Sequence, residues 1–250
     1  MSENNIIEIK DLTKFYRGND EPAVDHLSLN IEAHQIYGLL GPNGAGKTTT
    51  ISILCGLFPP SHGTARIDGH SIKTEKEKIK RLIGVVPQEI ALYPTLTARE
   101  NLRFIGGMYG LHGTELRSRI TECLKLVGLA DKAGRKVGSY SGGMKRRINL
   151  IAGILHKPKI LFLDEPTVGV DVQSRNMITE YLRHLHAQGT TIIYSSHYLE
   201  EAESLCSKVT IIDSGKVIAT DTPSNLIQQQ ASCRNLEEVF LKLTGKDIRD

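Results

Sequence analysis

Short apolar runs and longer amphipathic stretches alternate along this chain, which is the pattern of strands separated by helices. Strands are predicted at 7–9, 27–31, 36–40, 63–67, 82–86, 160–163 and 191–194. Two further runs, 209–212 and 216–218, flank Asp213-Ser-Gly215 and predict a hairpin. Strands that alternate with helices indicate a parallel α/β core. A charged segment, 73–81, separates two of the strands and is expected to be exposed.

The helical pattern is longest between Thr97 and Leu155, which is too long for a single crossover between strands. Thr97 and Glu100 predict a capping box, with a hydroxyl at the N-cap and a carboxylate three residues later. This stretch is therefore expected to form a helical subdomain, about 89–156. A later helix places four apolar residues on one face and is expected to stop at Gly189. These four residues are Ile178, Tyr181, Leu182 and Leu185.

A glycine-rich loop, Gly41-Pro-Asn-Gly-Ala-Gly-Lys47-Thr48, matches G-x-x-x-x-G-K-[ST] at every fixed position, between a strand and a helix. Glycines let the backbone approach an anion, and N–H groups at a helix start point towards phosphate. Lys47 adds a cation, and the Thr48 hydroxyl can hold Mg²⁺. The alternative is a glycine-rich turn without a ligand, which the flanking strand and helix disfavour. The predicted nucleotide contacts are Gly41, Pro42, Asn43, Gly44, Ala45, Gly46, Lys47, Thr48 and Thr49.

Two carboxylates, Asp164 and Glu165, follow the apolar run 160–163. The carboxyl ends of parallel strands border the ligand crevice, so Asp164 can face Mg²⁺. Glu165 is suited to orient or deprotonate an attacking water. Alone, the pair could be a solvated strand end. With the phosphate loop, it predicts the second half of a Mg²⁺–nucleotide site.

A second glycine motif, Tyr140-Ser-Gly-Gly-Met144, precedes a predicted helix. Ser141 can cap that helix, whose first-turn amides offer a further anion site. By itself the motif indicates no more than a helix N-cap. The position of the motif in the chain is more informative than the motif itself: Ser141 lies 23 residues before Asp164 (164 − 141), the first carboxylate of the predicted site.

Composition sets broader limits on this 250-residue chain. Apolar residues make up 40% and charged residues 24%, as in ordinary globular proteins. A net charge of +3 is too small to indicate a nucleic-acid partner. No apolar run approaches the ~20 residues that span a bilayer, and the N-terminus is polar. The cysteines lack the close spacing of zinc or disulfide sites, so a reduced cytoplasmic compartment is expected.

Taken in order, these motifs resemble the ATP-binding subunits of ABC transporters, over about residues 16–197. The resemblance implies a P-loop NTPase (RecA-like) core of α/β class with an antiparallel β subdomain and an inserted helical subdomain. The ATPase domain is expected over 1–220 and a short helical tail over 221–250. Tyr140 and Met144 depart from the usual leucine and glutamine of the family signature.

The resemblance also implies roles for single residues. Ser141, Gly142 and Gly143 match the signature residues that contact phosphate. Gln88 falls at the glutamine that contacts Mg²⁺ and water, and 168–171 resembles the D-loop. His197 falls at the switch histidine that senses the γ-phosphate, and Tyr16 at the aromatic that stacks on adenine. The charged residues 145–147 are expected on a solvated face of the signature helix.

The family further implies ATP and Mg²⁺ as cofactors and a head-to-tail dimer of two copies that closes on ATP. A separate polytopic permease would hold the chain on the inner face of the cell membrane. The signature, the residues after Glu165 and the tail 236–244 are similar to ATPases of ABC-2-type exporters. The alternatives are an importer subunit and a soluble ABC ATPase that is not coupled to transport.

Overall fold

A computed structural model describes residues 4–230 and 232–245 of the chain. The strands are β1 (Asn5–Lys14), β2 (Val24–Glu32), β3 (Ile36–Leu40), β4 (His62–Ile67), β5 (His70–Ser71), β6 (Ile83–Val86), β7 (Ile160–Asp164), β8 (Thr191–Ser196), β9 (Lys208–Asp213) and β10 (Lys216–Asp221). The helices are α1 (Lys47–Leu54), α2 (Lys76–Leu82), α3 (Ala98–Met108), α4 (Gly113–Leu126), α5 (Gly142–Ile154), α6 (Val172–Ala187), α7 (Leu199–Leu205), α8 (Pro223–Gln228) and α9 (Leu236–Thr244).

The chain divides into two compact units, and the first comprises the described residues up to Leu82 and from Thr191 onward. It contains an antiparallel sheet with the strand order β2-β1-β4-β5. It also contains β3, which pairs in parallel with β8 on one side and β9 on the other. All five residues of β3 are buried, which explains its continuous apolar sequence. β10 pairs antiparallel with β9, so the predicted hairpin is confirmed.

The second unit comprises Ile83–Thr190. Its strands β6 and β7 pair in parallel, and every residue of β7 is buried. Helix α5 packs against β6, α3 and α6. The capping box at the start of α3 is confirmed: Thr97 Oγ1 accepts from the Glu100 N–H at 3.2 Å, and Glu100 Oε2 accepts from the Thr97 N–H at 2.8 Å. The predicted α/β class, with both parallel and antiparallel strands, is thus confirmed.

Helix α2 differs from the sequence prediction in two ways. Leu82 ends helix α2 and does not begin a strand, so β6 starts one residue later. The charged segment 73–81 is not uniformly exposed, because α2 buries Ile79 inside the first unit. Helix α6 ends at Ala187 with Gln188 as its C-cap, and the next residue, Gly189, adopts a φ of 94°, so the predicted stop at Gly189 is confirmed.

The C-terminal tail contains α8 and α9, and α9 packs against α7 and α8. The side chain of Asn235 caps α9, and Glu203 in α7 accepts a 2.8 Å hydrogen bond from the Leu236 N–H. The parts of the predicted tail at 231 and 246–250 lie outside the described residues. Within residues 4–230 and 232–245, no helix combines the length and the apolar character needed to cross a membrane.

Candidate nucleotide-binding site

The phosphate loop connects β3 to α1 in the first unit, and its backbone requires glycine at two positions. Gly46, the N-cap of α1, adopts a φ of 101°, and a β-carbon there would lie 2.4 Å from the Ala23 carbonyl oxygen. A β-carbon on Gly41 would lie 2.3 Å from the carbonyl oxygen of Ile212. Only glycine therefore fits at either end of the loop, which approaches β9 at Gly41 and the residue before β2 at Gly46.

Lys47 lies within this loop and is buried, with 5% of its surface exposed. Its ammonium donates hydrogen bonds to the carbonyl oxygens of Gly41 at 2.8 Å and Pro42 at 3.1 Å. Thr48, the next residue, is exposed. The lysine charge is thus kept at the loop, where the first-turn amides of α1 also present partial positive charge.

Tyr16 lies beside the phosphate loop. Its hydroxyl is 3.2 Å from the Thr49 hydroxyl, and its ring meets Phe58 edge to face at 5.8 Å. Lys14 places its ammonium 5.8 Å from the centre of the Tyr16 ring and 5.0 Å from that of Phe58. Tyr16 is 39% exposed. A partly exposed aromatic ring next to the loop is suited to stack on a nucleobase, and this role remains a prediction.

His197 comes directly after β8 in the same unit. Strands β3 and β8 are parallel neighbours, with Leu40 paired to Ser196, so the loop and His197 leave the sheet at the same edge. The edge at the carboxyl ends of parallel strands is where ligands bind in α/β folds. His197 is half-buried, and its ring lies 4.3 Å from the Tyr198 ring.

The second unit brings Gln88 and Glu165 together. Strands β6 and β7 are parallel neighbours, with Val86 paired to Leu163, so the two residues follow adjacent strand ends. The side-chain nitrogen of Gln88 donates a 3.1 Å hydrogen bond to Glu165 Oε2. Asp164 and Glu165 are each 5% exposed, so this strand end is buried and the alternative of a solvated strand end is wrong.

Glu165 also has an unusual backbone. Its φ of 49° lies in the left-handed region, which is costly for a residue with a β-carbon. Strained positions of this kind persist where the surrounding structure over-determines them, and they cluster at active sites. The strain, the burial and the hydrogen bond from Gln88 together single out this carboxylate as the candidate catalytic group.

The signature motif starts α5. Ser141 is the N-cap and accepts a 3.3 Å hydrogen bond from the Met144 N–H; Ser141 and Gly142 are both exposed. Gly143 is buried, and a β-carbon there would lie 2.2 Å from Ser174 Oγ, at the start of α6. Gly143 therefore has a packing role that the sequence pattern did not reveal. The exposed N-terminus of α5 remains a predicted phosphate contact.

The prediction of a solvated face for residues 145–147 is wrong, because Arg146 is 7% exposed. Its guanidinium donates to the carbonyl oxygen of Gln88 at 2.5 Å and to those of Pro87 and Val168 at 3.4 Å each. Arg147 is half-buried and donates to the Val127 carbonyl oxygen at 2.8 Å. The burial of Arg146 arises from contacts with segments distant in the chain, which a run of three charged residues does not reveal.

A phosphate loop that opens a helix, and paired carboxylates at the end of a buried strand, define a P-loop ATPase. The family model described as "ABC transporter" matches residues 24–168. The chain is 46% identical to the linearmycin resistance ATP-binding protein of Bacillus subtilis (strain 168), over 94% of this chain and 78% of that protein. It is 40% identical to the Nod factor export ATP-binding protein I of Burkholderia lata, over 92% of this chain and 75% of that protein.

A solved structure extends the likeness. It is a dimeric ATP-binding cassette in a post-hydrolysis state with ADP and Pi, 29% identical, with a TM-score of 0.80 over 86% of this chain and 98% of that one. The chain belongs to the ABC transporter family and is an ATP-binding subunit and ATPase of that family. The resemblance and the P-loop NTPase fold predicted from sequence are confirmed.

Proposed function

We propose that this chain binds and hydrolyses Mg²⁺–ATP to power an exporter whose permease is a separate chain. The buried Glu165 carboxylate, held by Gln88 at 3.1 Å, is the observation that carries hydrolysis. Export is supported by the 40% identity to a protein named for Nod factor export. The runner-up is an importer subunit, which uses the same hydrolysis with the opposite cargo direction.

Each proposed role follows from chemistry. The amides of the phosphate loop and Lys47 hold the phosphate oxygens through charge-assisted hydrogen bonds. Glu165 orients or deprotonates the attacking water, because a positioned carboxylate is a general base. Gln88 fixes the orientation of that carboxylate by its amide. His197 contacts the γ-phosphate, and Tyr16 stacks on the base.

The proposed Mg²⁺ donors are Thr48, Gln88 and Asp164. The donor set fits the ion, because hydroxyl, amide and carboxylate oxygens are the ligands Mg²⁺ prefers. The Gln88 nitrogen donates to Glu165, so its amide oxygen is the atom suited to a cation. When bound, the ion neutralises charge on the phosphates.

The proposed assembly contains two copies of the chain, arranged head to tail, and a polytopic permease at the inner face of the membrane. The dimeric cassette of known structure supports the first partner. An exposed aromatic pair in the second unit supports the second partner, the permease. Tyr93 and Phe104 are 52% and 50% exposed, and their rings meet edge to face at 5.4 Å. Clustered exposed apolar side chains of this kind mark protein–protein contacts.

The test is affinity purification of the tagged full chain from detergent-solubilised membranes of its own cells. We expect ATP hydrolysis together with a co-purifying protein that has several membrane spans. Phe104→Ser is expected to reduce that co-purification, whereas Leu126→Ser, at a similarly exposed apolar position (44%), is not. Hydrolysis without any membrane partner would indicate a role outside transport. Accumulation of cargo in cells that lack the chain would favour export over import.

A further inference from the structure

Helix α5 reaches two backbone segments beside the catalytic carboxylate with one side chain. Arg146 donates to the carbonyl oxygens of Pro87 and Gln88 on one side and of Val168 on the other. Gln88 bonds to Glu165 through its side chain, and Val168 comes three residues after Glu165. The guanidinium therefore lies between the segment that contains Gln88 and the segment that follows Glu165.

A second side chain of the same helix supports this arrangement. Asn149 is 2% exposed, and its amide nitrogen donates to the Pro87 carbonyl oxygen at 3.3 Å. Its amide oxygen accepts from the Ala91 N–H at 3.1 Å. Helix α5 thus holds both ends of the segment 87–91. Arg146 is the member of the pair that also reaches the residues after Glu165.

The chemistry of arginine suits this task. A planar guanidinium has five donors in a fixed fork, so it can bond carbonyl oxygens from two segments at once. A lysine ammonium is a point charge on a flexible stem and holds such a geometry less well. A buried charge is costly unless its donors are satisfied, and the three carbonyl oxygens offset that cost.

We propose that Arg146 is a positioning residue for ATP hydrolysis, which fixes the backbone of Gln88 so that its amide meets Glu165. The proposal rests on the function proposed above, since it assigns Gln88 and Glu165 to the hydrolytic step. Because Arg146 projects from α5, the helix that Ser141 caps, it also ties the geometry of Gln88 and Glu165 to the position of this helix. Any displacement of α5 then alters the hydrogen bond between them.

The first test compares Arg146→Met and Arg146→Lys with the wild-type chain in steady-state ATP hydrolysis. Arg146→Met is expected to lower kcat roughly ten- to hundred-fold, because small misplacements near the reacting atoms have effects of that size. KM for ATP should stay within about two-fold, since the phosphate loop is unchanged. Arg146→Lys should fall between the two. Arg119→Met is the matched control, because Arg119 donates to the carbonyl oxygen of Leu155 at the other end of α5.

A double-mutant cycle separates positioning from general loss of stability. If Arg146 acts through Gln88, Arg146→Met should lower kcat less than about three-fold further in a Gln88→Ala background, since coupled residues are not additive. Multiplicative losses, or an Arg146→Met enzyme with wild-type kcat, would overturn the proposal. Thermal unfolding shows whether Arg146→Met is folded. If it is not, the same double-mutant cycle is measured with Arg146→Lys. A wild-type chain without ATPase activity would instead refute the proposed function.

Discussion

The side-chain amide of Gln88 donates a 3.1 Å hydrogen bond to the carboxylate of Glu165, although 77 positions separate the two residues. Parallel pairing of β6 with β7 explains the contact, since each residue follows the end of one of these neighbouring strands. The bond fixes the direction of the Glu165 carboxylate in a buried setting. Any change that moves Gln88 therefore acts on the group proposed to activate water.

Glu165→Gln is expected to abolish hydrolysis and to leave ATP binding intact. The amide keeps the size of the carboxylate and can still accept from Gln88, but it cannot act as a base. ATP should then hold the variant as a dimer, which size-exclusion chromatography with and without ATP would detect. Glu180→Gln, an exposed change on α6, is the matched control. A Glu165→Gln chain that stays monomeric and hydrolyses ATP normally would move the catalytic role elsewhere, with His197 as the next candidate.

Lys47→Ala is expected to abolish ATP turnover and to weaken nucleotide binding. It removes a buried cation and leaves the glycine backbone of the loop in place. Loss of a charge contact to the transition state typically lowers kcat ~10²-fold or more. Phosphate release at saturating ATP measures the effect, with the exposed Lys125→Ala as control. Activity within a few-fold of wild type would contradict the assignment of the loop.

The features that the sequence predicted best are local ones. Lys47 donates to carbonyl oxygens of its own loop, Gly41 and Pro42, and Thr97 and Glu100 cap each other, so each structure is completed within a few residues. The hydrogen bonds of Arg146 are of another kind, because its carbonyl acceptors lie 58 and 22 positions away. A charge run is usually solvated, and only the packing of α5 onto those segments reverses this preference.

The distinction between local and long-range contacts also explains two smaller differences between the sequence prediction and the structure. Gly143 lies so close to Ser174 on α6 that a β-carbon would clash with its hydroxyl, and the signature motif alone does not reveal this close approach. Helix α2 is rich in charge because a single residue, Ile79, is buried from it. Such a short helix with one apolar contact lacks the 3.6-residue periodicity on which helix prediction depends.

Thr97→Ala is expected to lower the free energy of unfolding by about 1 kcal/mol, the usual contribution of an N-cap hydroxyl. The change removes the acceptor for the Glu100 N–H and one donor to the Glu100 carboxylate. Urea denaturation of both variants measures the difference. Thr121→Ala is the control, because that hydroxyl donates to the Arg117 carbonyl oxygen inside α4 and caps no helix end. Equal losses in the two variants would contradict a specific capping contribution.

Glu75 gives a pH-dependent prediction. Hydrogen bonds from the Ser71 N–H, Lys78 and His70 lower the pKa of Glu75 from 4.5 to about 2. A pKa that is lower in the folded chain means that the contribution to stability is present above about pH 4.5 and is lost as the pH falls towards 2. Glu75→Gln should therefore be less stable than wild type at pH 6, and the difference should shrink through this window. Unfolding midpoints of wild type and Glu75→Gln, measured across that pH range, test this prediction, with the exposed Glu115→Gln as control. A difference between wild type and Glu75→Gln that does not change with pH would contradict the pKa shift.

A mixture of two inactive variants tests whether the active site is shared between two copies of the chain. If Ser141 completes the site of a neighbouring copy, each site needs Lys47 from one chain and Ser141 from the other. Homodimers of Lys47→Ala should be inactive, and so should homodimers of Ser141→Arg, whose added bulk at the N-terminus of α5 blocks phosphate.

In a mixed dimer of these variants, one site carries both changes, but the other combines an intact Lys47 with an intact Ser141. ATP turnover should therefore return on mixing, at no more than about half of the wild-type rate per dimer, because one of two sites is restored. If each chain contained a complete site of its own, both partners would stay inactive and mixing would restore nothing. Strict cooperation between the two sites would also give no turnover, so bound ATP per dimer is measured in the same samples. One ATP without turnover supports a shared site with cooperation, whereas the lack of any ATP-stabilised mixed dimer refutes the shared site.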